Sequence, residues 1–198
     1  MNRQKIGAVV AAAGLSSRMG DFKPLLPFDG STVIERCITN LRGAGATDIV
    51  VVTGHRAGEL ARLLEDSGVT LVRNAAYAET QMFDSLCLGL RALPADCDRI
   101  LLTPGDVPLV RAGTIRALLA ADAGFACPIC NGRRGHPVAL DAAWREQVLG
   151  YSGDGGLRGA VEALGIPTAE VEVADPGMTH DLDTPADYRT ALGLLKND

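Results

Sequence analysis

Along this chain, short apolar runs rich in β-branched residues alternate with longer segments whose apolar positions recur at helical spacing. That alternation is the rhythm of βαβ units. Strands are expected over residues 6–12, 48–53, 69–73, 99–103, 125–128, 137–140 and 169–173. Helices are expected over 33–42, 57–66, 82–93, 113–121, 142–149, 157–164 and 185–195. The pattern predicts an α/β fold: a mostly parallel central sheet with helices on both faces. No internal repeat, low-complexity tract or linker-like shift in composition interrupts it. The Gly-rich stretch 151–156 reads as a loop inside the domain, so residues 1–198 are expected to form a single domain.

The first strand opens into AlaAlaAlaGlyLeuSerSerArgMetGlyAspPheLys, residues 11–23. A buried strand running into a Gly-rich, cation-bearing loop presents backbone N–H groups and positive charge to a phosphate. Two better-known phosphate loops do not fit. A P-loop places GlyLys and then Ser or Thr after four residues, whereas Gly14 and Gly20 are separated by five and Lys23 precedes Pro24. The dinucleotide fingerprint needs three closely spaced glycines, which Gly14 and Gly20 do not supply. Read chemically, Gly14 and Gly20 let the backbone turn close to a ligand, and Ser16 and Ser17 offer hydroxyl and amide donors. Arg18 adds a guanidinium fork and Lys23 a point charge, a combination suited to a triphosphate. The alternative is an ordinary surface turn with two solvated cations.

Composition narrows the partners. The 198 residues are 47% hydrophobic and 22% charged, which is globular, and carry a net charge of −5 with no Lys/Arg run. Nucleic acid and anionic membranes are therefore excluded as main partners, and an anionic substrate would depend on local cations. Arg3 and Lys5 before an apolar stretch resemble a signal peptide superficially, but the stretch is short and enters the loop, so it reads as a strand in a cytoplasmic protein. The five cysteines are an odd number lying mostly in expected core elements, as in a reducing compartment. Cys127 and Cys130 form a lone CysxxCys that reads as a strand end flanking Pro128 rather than a metal or redox site. Trp144 and Met82 read as core or helix-face residues.

Two acidic motifs follow. ThrProGlyAspValPro, residues 103–108, ends an apolar strand, and Asp106 there points toward the same crevice as the loop. Mg²⁺ is bound through one or two carboxylates plus substrate phosphates, which makes Asp106 the best metal ligand in the chain. Its structural alternative is a cap on the helix after Pro108. In HisAspLeuAspThrProAlaAsp, residues 180–187, Thr184 reads as an N-cap with Pro185 at the first helical position and Asp187 in the first turn. Asp183, just before the cap, is the functional candidate, while Asp181 and Asp187 read as structural. A third motif, AsnGlyArgArgGlyHisProVal at residues 131–138, is a tight hairpin turn with exposed Arg133 and Arg134, followed by a packed or hydrogen-bonded His136.

These motifs resemble those of the MobA-like nucleotidyltransferases, on Ala13, Gly14, Ser16, Arg18, Met19, Gly20 and Lys23, then GlyAspxPro and AspThrPro. Ala12 and Ala13 before Gly14, and the GlyHisPro of Gly135, His136 and Pro137, resemble the molybdopterin cytidylyltransferase branch. The resemblance spans Val9 to Asp187 and implies a Rossmann-like nucleotide-diphospho-sugar transferase fold. It implies nucleotide binding by Ala12, Ala13, Gly14, Ser16, Arg18, Lys23, Asn74, Ser85 and Asp106, with Arg18, Lys23 and Asp106 catalytic. It implies Mg²⁺ held by Asp106 and Asp183, and acceptor binding by Arg134, Gly135, His136 and Asp154. The implied reaction is attack of an acceptor phosphate on the α-phosphorus of CTP, with a molybdopterin-type acceptor, loss of pyrophosphate and a molybdoenzyme apoprotein as partner. The rival readings are the same chemistry with GTP or with a sugar or polyol phosphate, and a non-catalytic cofactor chaperone.

Overall fold

The computed structural model describes residues 4–195. Its core is an eight-stranded sheet: β1 (Ile6–Ala12), β4 (Asp48–Thr53), β5 (Thr70–Arg73), β6 (Arg99–Pro104), β7 (Phe125–Cys130), β8 (Arg133–Arg134), β9 (Val138–Asp141) and β10 (Thr168–Glu172). The order is β10-β7-β9-β6-β1-β4-β5, with β8 hairpinned onto β7. Every pairing is parallel except those of β9 and β8. A separate two-stranded hairpin joins β2 (Pro27–Phe28) and β3 (Ser31–Thr32).

The strand sequences read as apolar runs because both faces are covered. Ala8, Val10, Ile49, Val51 and Leu101 face one apolar layer, while their neighbours Val9, Val50, Val52, Ile100 and Leu102 face the other. The first layer is closed by α1 (Val33–Gly43), α2 (Ala57–Leu63) and α4 (Ala112–Leu119). The second is closed by α3 (Met82–Ala92), α5 (Arg145–Leu149) and α6 (Gly156–Ala163). Each fully buried aliphatic side chain, such as Val51 or Leu101, contributes about 1.5–3 kcal/mol of transfer free energy. Gly89 lets α3 lie on β1, since a Cβ there would stand 2.2 Å from Val9 Cγ1. A third cluster of Met19, Phe28, Val33, Leu182 and Ala191 anchors α7 (Pro185–Leu194) over the small hairpin.

Where the elements depart from expectation, short-range hydrogen bonds explain it. The second helix stops at Leu63 instead of running to residue 66, because Ser67 turns the chain by donating its hydroxyl to the Leu64 carbonyl at 2.6 Å. The helix expected over 142–149 splits into a 3-10 turn, Ala142–Trp144, and α5, with Asp141 accepting from the Ala143 amide at 2.9 Å. The strands β2, β3 and β8 have two residues each, too short for an apolar rhythm to reveal. Asn131 and Gly132 have φ of 52° and 73°, the left-handed pair that the AsnGly hairpin turn requires. Cys127 and Cys130 lie in opposite apolar layers, and all five cysteines are buried and free. No helix among the described residues is long and apolar enough to cross a membrane.

Candidate active site

The chain winds from β1 outward to β4 and β5, then returns across β1 to β6. Winding therefore reverses between β1 and β6, and the crevice outside their carboxyl ends is where an open α/β sheet binds ligands. A pocket opens there. Its floor is residues 11–14 of the loop with Pro104, Gly105 and Asp106 of the β6 end, and its sides are Ser16, Lys23 and Pro24 against Tyr77, Thr80, Gln81, Met82 and Ser85.

Local geometry shapes the loop. Ser16 sits at φ 54°, its carbonyl accepts from the Met19 amide at 3.0 Å, and its hydroxyl accepts from the Lys23 amide at 3.2 Å. Gly20 takes φ 77°, a conformation side chains rarely adopt, while Gly14 has none of the described residues within 4 Å of a Cβ position and leaves its backbone open to a ligand. The β6 end is braced from α1, with Asn40 donating to the Pro108 carbonyl at 2.8 Å. It is also tied to the 180–183 segment by the Leu182 amide on the Asp106 carbonyl at 3.2 Å. Asp106 does not cap a helix: α4 begins at Ala112 with Arg111 as N-cap. Thr184 does cap α7, accepting from the Asp187 amide while Asp187 accepts from the Thr184 amide at 2.8 Å.

The side chains meet at Lys23. Its ammonium, with the residue only 9% exposed, lies 2.8 Å from Asp106 Oδ2 and 2.7 Å from Asp183 Oδ1. Arg18 reaches Asp183 Oδ2 at 2.9 Å from solvent. Burial works to lower the Lys23 pKa, but the hydrogen bonds and charges of both carboxylates outweigh it and raise the pKa overall. Lys23 donates to Asp183 and so holds that carboxyl below its usual range, burial opposing and the charges of Lys23 and Arg18 assisting. Asp181, read from the sequence as structural, lies in the same field: desolvation and the negative charges of Asp106 and Asp183 push its carboxyl up. The charge of Asp106 also reaches His136. Desolvation lowers its pKa against the pull of Asp106, and its buried Nδ1 has no hydrogen-bond partner among the described residues.

A pH consequence follows. A depressed carboxyl contributes stability that is fully present above its unfolded pKa and lost as pH falls through the folded value. Loss of the Lys23–Asp183 contact should therefore weaken the fold only below about pH 4. Denaturant midpoints of the wild type should fall more steeply from about pH 4 downward than those of Asp183→Asn. Parallel midpoint curves would show that the contact adds nothing.

The structure separates the other candidates. Ala12, Ala13, Gly14, Ser16, Lys23, Ser85 and Asp106 line the pocket. Asn74 stands behind its wall, 3% exposed, donating to Thr80 Oγ1 at 2.9 Å and Ser85 Oγ at 3.1 Å and accepting from the Ala76 amide. These bonds hold the 74–80 turn onto α3. Gly135 lets the chain cross Met178, whose carbonyl oxygen would lie 2.3 Å from a Cβ. Arg134 pairs with Glu170 on β10, with Nε 2.8 Å from Oε1. Asp154 is exposed in a loop whose turn is closed by Tyr151 Oη donating to the Asp154 carbonyl at 2.7 Å. Met82, expected in core or on a helix face, is 51% exposed at the pocket. Tyr77, Thr80 and Gln81 were not anticipated, because turn residues brought in by β5 and α3 carry no motif.

Asp106 and Asp183 converge on one cation, so the donor set suits a hard divalent ion. Among the described residues no cluster of three or more His, Cys, Asp or Glu side chains forms a cage. An ion held by Asp106 and Asp183 would take its remaining ligands from phosphate and water, as Mg²⁺ characteristically does.

A doubly wound sheet with a glycine- and cation-lined pocket and paired carboxylates at its switch point defines a nucleotidyltransferase of the Rossmann-like fold. The chain belongs to the MobA-like NTP transferase domain family, which matches residues 8–169. It is 31% identical over 190 residues to the molybdenum cofactor cytidylyltransferase of Escherichia coli, covering 94% of this chain and 95% of that one. A nucleotidyl transferase from Methanothermobacter thermautotrophicus superposes with a TM-score of 0.85 at 32% identity, covering 98% of this chain and 99% of that one. A Mycobacterium tuberculosis protein, Rv0371c, solved in complex with manganese, gives a TM-score of 0.78 at 26% identity over 96% of this chain and 99% of that one. Members of this family generally use a divalent metal.

Proposed function

We propose that this nucleotidyltransferase moves CMP from CTP to the phosphate of a molybdopterin-type acceptor with Mg²⁺, releasing pyrophosphate. The observation that carries the transfer chemistry is the pairing of Asp106 and Asp183 around one buried ammonium beside an open glycine loop. The choice of CTP and acceptor is supported by the E. coli relative, matched over nearly the full length of both chains, and by Ala12 and Ala13 preceding Gly14.

Asp106 and Asp183 would hold Mg²⁺, and Mg²⁺ bound there neutralises phosphate charge and orients the triphosphate. The residues then act as follows. Open backbone at Gly14 admits the triphosphate, and Lys23 and Arg18 exchange carboxylate contacts for phosphate oxygens, balancing the charge that leaves with pyrophosphate. An acceptor phosphate oxygen attacks the α-phosphorus and the bond to the β-phosphate bridging oxygen breaks, with no covalent enzyme intermediate. The nucleophile is already ionised at neutral pH, so no general base is required. His136, next to Gly135 in the GlyHisPro turn, would shape the acceptor side. The buried, free cysteines suit a cytoplasmic enzyme, and the dinucleotide product is of a kind passed to a molybdoenzyme apoprotein.

Pyrophosphate release is the test, with purified protein, Mg²⁺ and molybdenum cofactor, run separately with CTP and GTP. Release with CTP alone is expected. Release with GTP alone would reassign the base. Release only with sugar or polyol phosphates would reassign the acceptor, and none with any pair would leave a cofactor chaperone.

A further inference from the structure

We propose that the GlyHisArg turn at residues 54–56 is a strut between the two walls of the nucleotide pocket, with Arg56 as a positioning residue for the phosphate loop. The inference rests on the nucleotide reading above and assigns the turn a part in it.

The turn leaves β4 beside the end of β1 and touches both walls. A Cβ on Gly54 would lie 2.6 Å from the Ala13 carbonyl oxygen and 2.6 Å from Tyr77 Cβ, so only glycine fits between loop and wall. The His55 amide donates to the Ala13 carbonyl at 3.1 Å. Its ring stands edge-on to Phe22, centroids 5.4 Å apart, and 6.2 Å from Tyr77 on the other side. Ala13 and Tyr77 both line the pocket.

Arg56 is the unusual member. It occupies the left-handed region at φ 48°, ψ 33°, where glycine or asparagine would sit with less strain. Its guanidinium forks onto Glu59, with Nε and Nη2 each 2.6 Å from an oxygen, and its remaining nitrogen reaches Asp21 Oδ1 at 3.1 Å. Its carbon lies 5.5 Å from the centroid of the Phe22 ring, and Phe22 is 2% exposed. Asp21 Oδ1 also accepts from the Phe22 amide at 2.7 Å, so one carboxylate oxygen ties the corner to both its own backbone and Arg56. Lys23 is the next residue. Glu59 thus orients Arg56, Arg56 holds the Asp21–Phe22 corner, and that corner aims Lys23 at Asp106 and Asp183. Arg56 itself lies outside the pocket lining, so its effect on nucleotide must pass through the corner.

Arg56→Gly separates positioning from stability, because glycine relieves the left-handed strain while removing the fork. Its melting temperature should equal or exceed that of wild type. Its Kd and KM for Mg·CTP should rise about tenfold, with kcat and the acceptor KM within about twofold. Asp21→Asn should raise the same KM, and the two changes together should give less than the product of their separate effects. Arg56→Lys, which keeps the charge and loses the fork, should fall between. Wild-type nucleotide affinity in Arg56→Gly, or fully multiplicative effects in the double variant, overturns the strut. A wild type that binds neither Mg·CTP nor Mg·GTP overturns the nucleotide reading and the strut together, whereas a failure confined to the variants overturns the strut alone.

Discussion

Asp106→Asn should lower kcat for pyrophosphate release by at least about a thousandfold while the protein remains folded. The substitution keeps the shape of the side chain and removes the charge. In the free protein the loss is partly covered, because Lys23 keeps its 2.7 Å contact with Asp183. The buried ammonium is therefore not orphaned, and the stability cost should stay near 1–2 kcal/mol, about the value of one charged hydrogen bond. In the working enzyme nothing replaces it: Asp183 alone would hold the divalent ion, and the carboxylate on the β6 end is the one carried by the sheet rather than by a peripheral segment. Steady-state kinetics beside a thermal melt decides the matter. A folded Asp106→Asn retaining a tenth of wild-type kcat, a loss of only about 1.4 kcal/mol in barrier, would remove Asp106 from the chemistry.

Lys23→Met should have the second-largest effect and a different signature. The variant keeps the length and apolar stem but leaves Asp106 with no cation and Asp183 with Arg18 alone. Without nucleotide, like charges then face one another and melting should fall by several degrees, of order 1–2 kcal/mol. With nucleotide, the ammonium that would meet the triphosphate is missing. The KM for CTP should rise and kcat/KM should fall by about a thousandfold, while the acceptor KM holds. Lys23→Arg should rescue poorly, since a planar fork cannot sit as a point charge between two carboxylates in a site 9% exposed. Equal losses in the CTP and acceptor KM values would mean that Lys23 shapes the whole crevice instead of serving the nucleotide.

The legible parts of this protein were those with local causes. Ile6–Ala12 and Asp48–Thr53 are strands over the expected residues because a run of small and branched apolar side chains is stable only where both faces are buried. Thr184, Pro185 and Asp187 start α7 as their spacing requires, since a capping box closes within one turn. The loop of residues 11–23 was recognisable by its glycines and cations. Asn74 shows the limit. Its type and place after a strand suit a ligand contact, yet its amide faces Thr80 and Ser85, an outcome set by how α3 lies on the sheet. The partner of Arg134, Glu170, likewise comes from β10, 36 residues along the chain. Tyr77, Gln81 and Arg56 had no local signal, because their partners come from elements far along the chain.

By itself, then, the sequence determined the alternation of strand and helix, the phosphate-type loop and the candidates Lys23, Asp106 and Asp183, because each depends on neighbours within a turn or a strand. Only the tertiary structure decided that Lys23 meets carboxylates 83 and 160 residues away, that Arg134 pairs with Glu170, and that the 54–56 turn braces the loop. The winding of the sheet reverses beside β1 and brings remote strand ends to one edge, and sequence spacing carries no record of that closure.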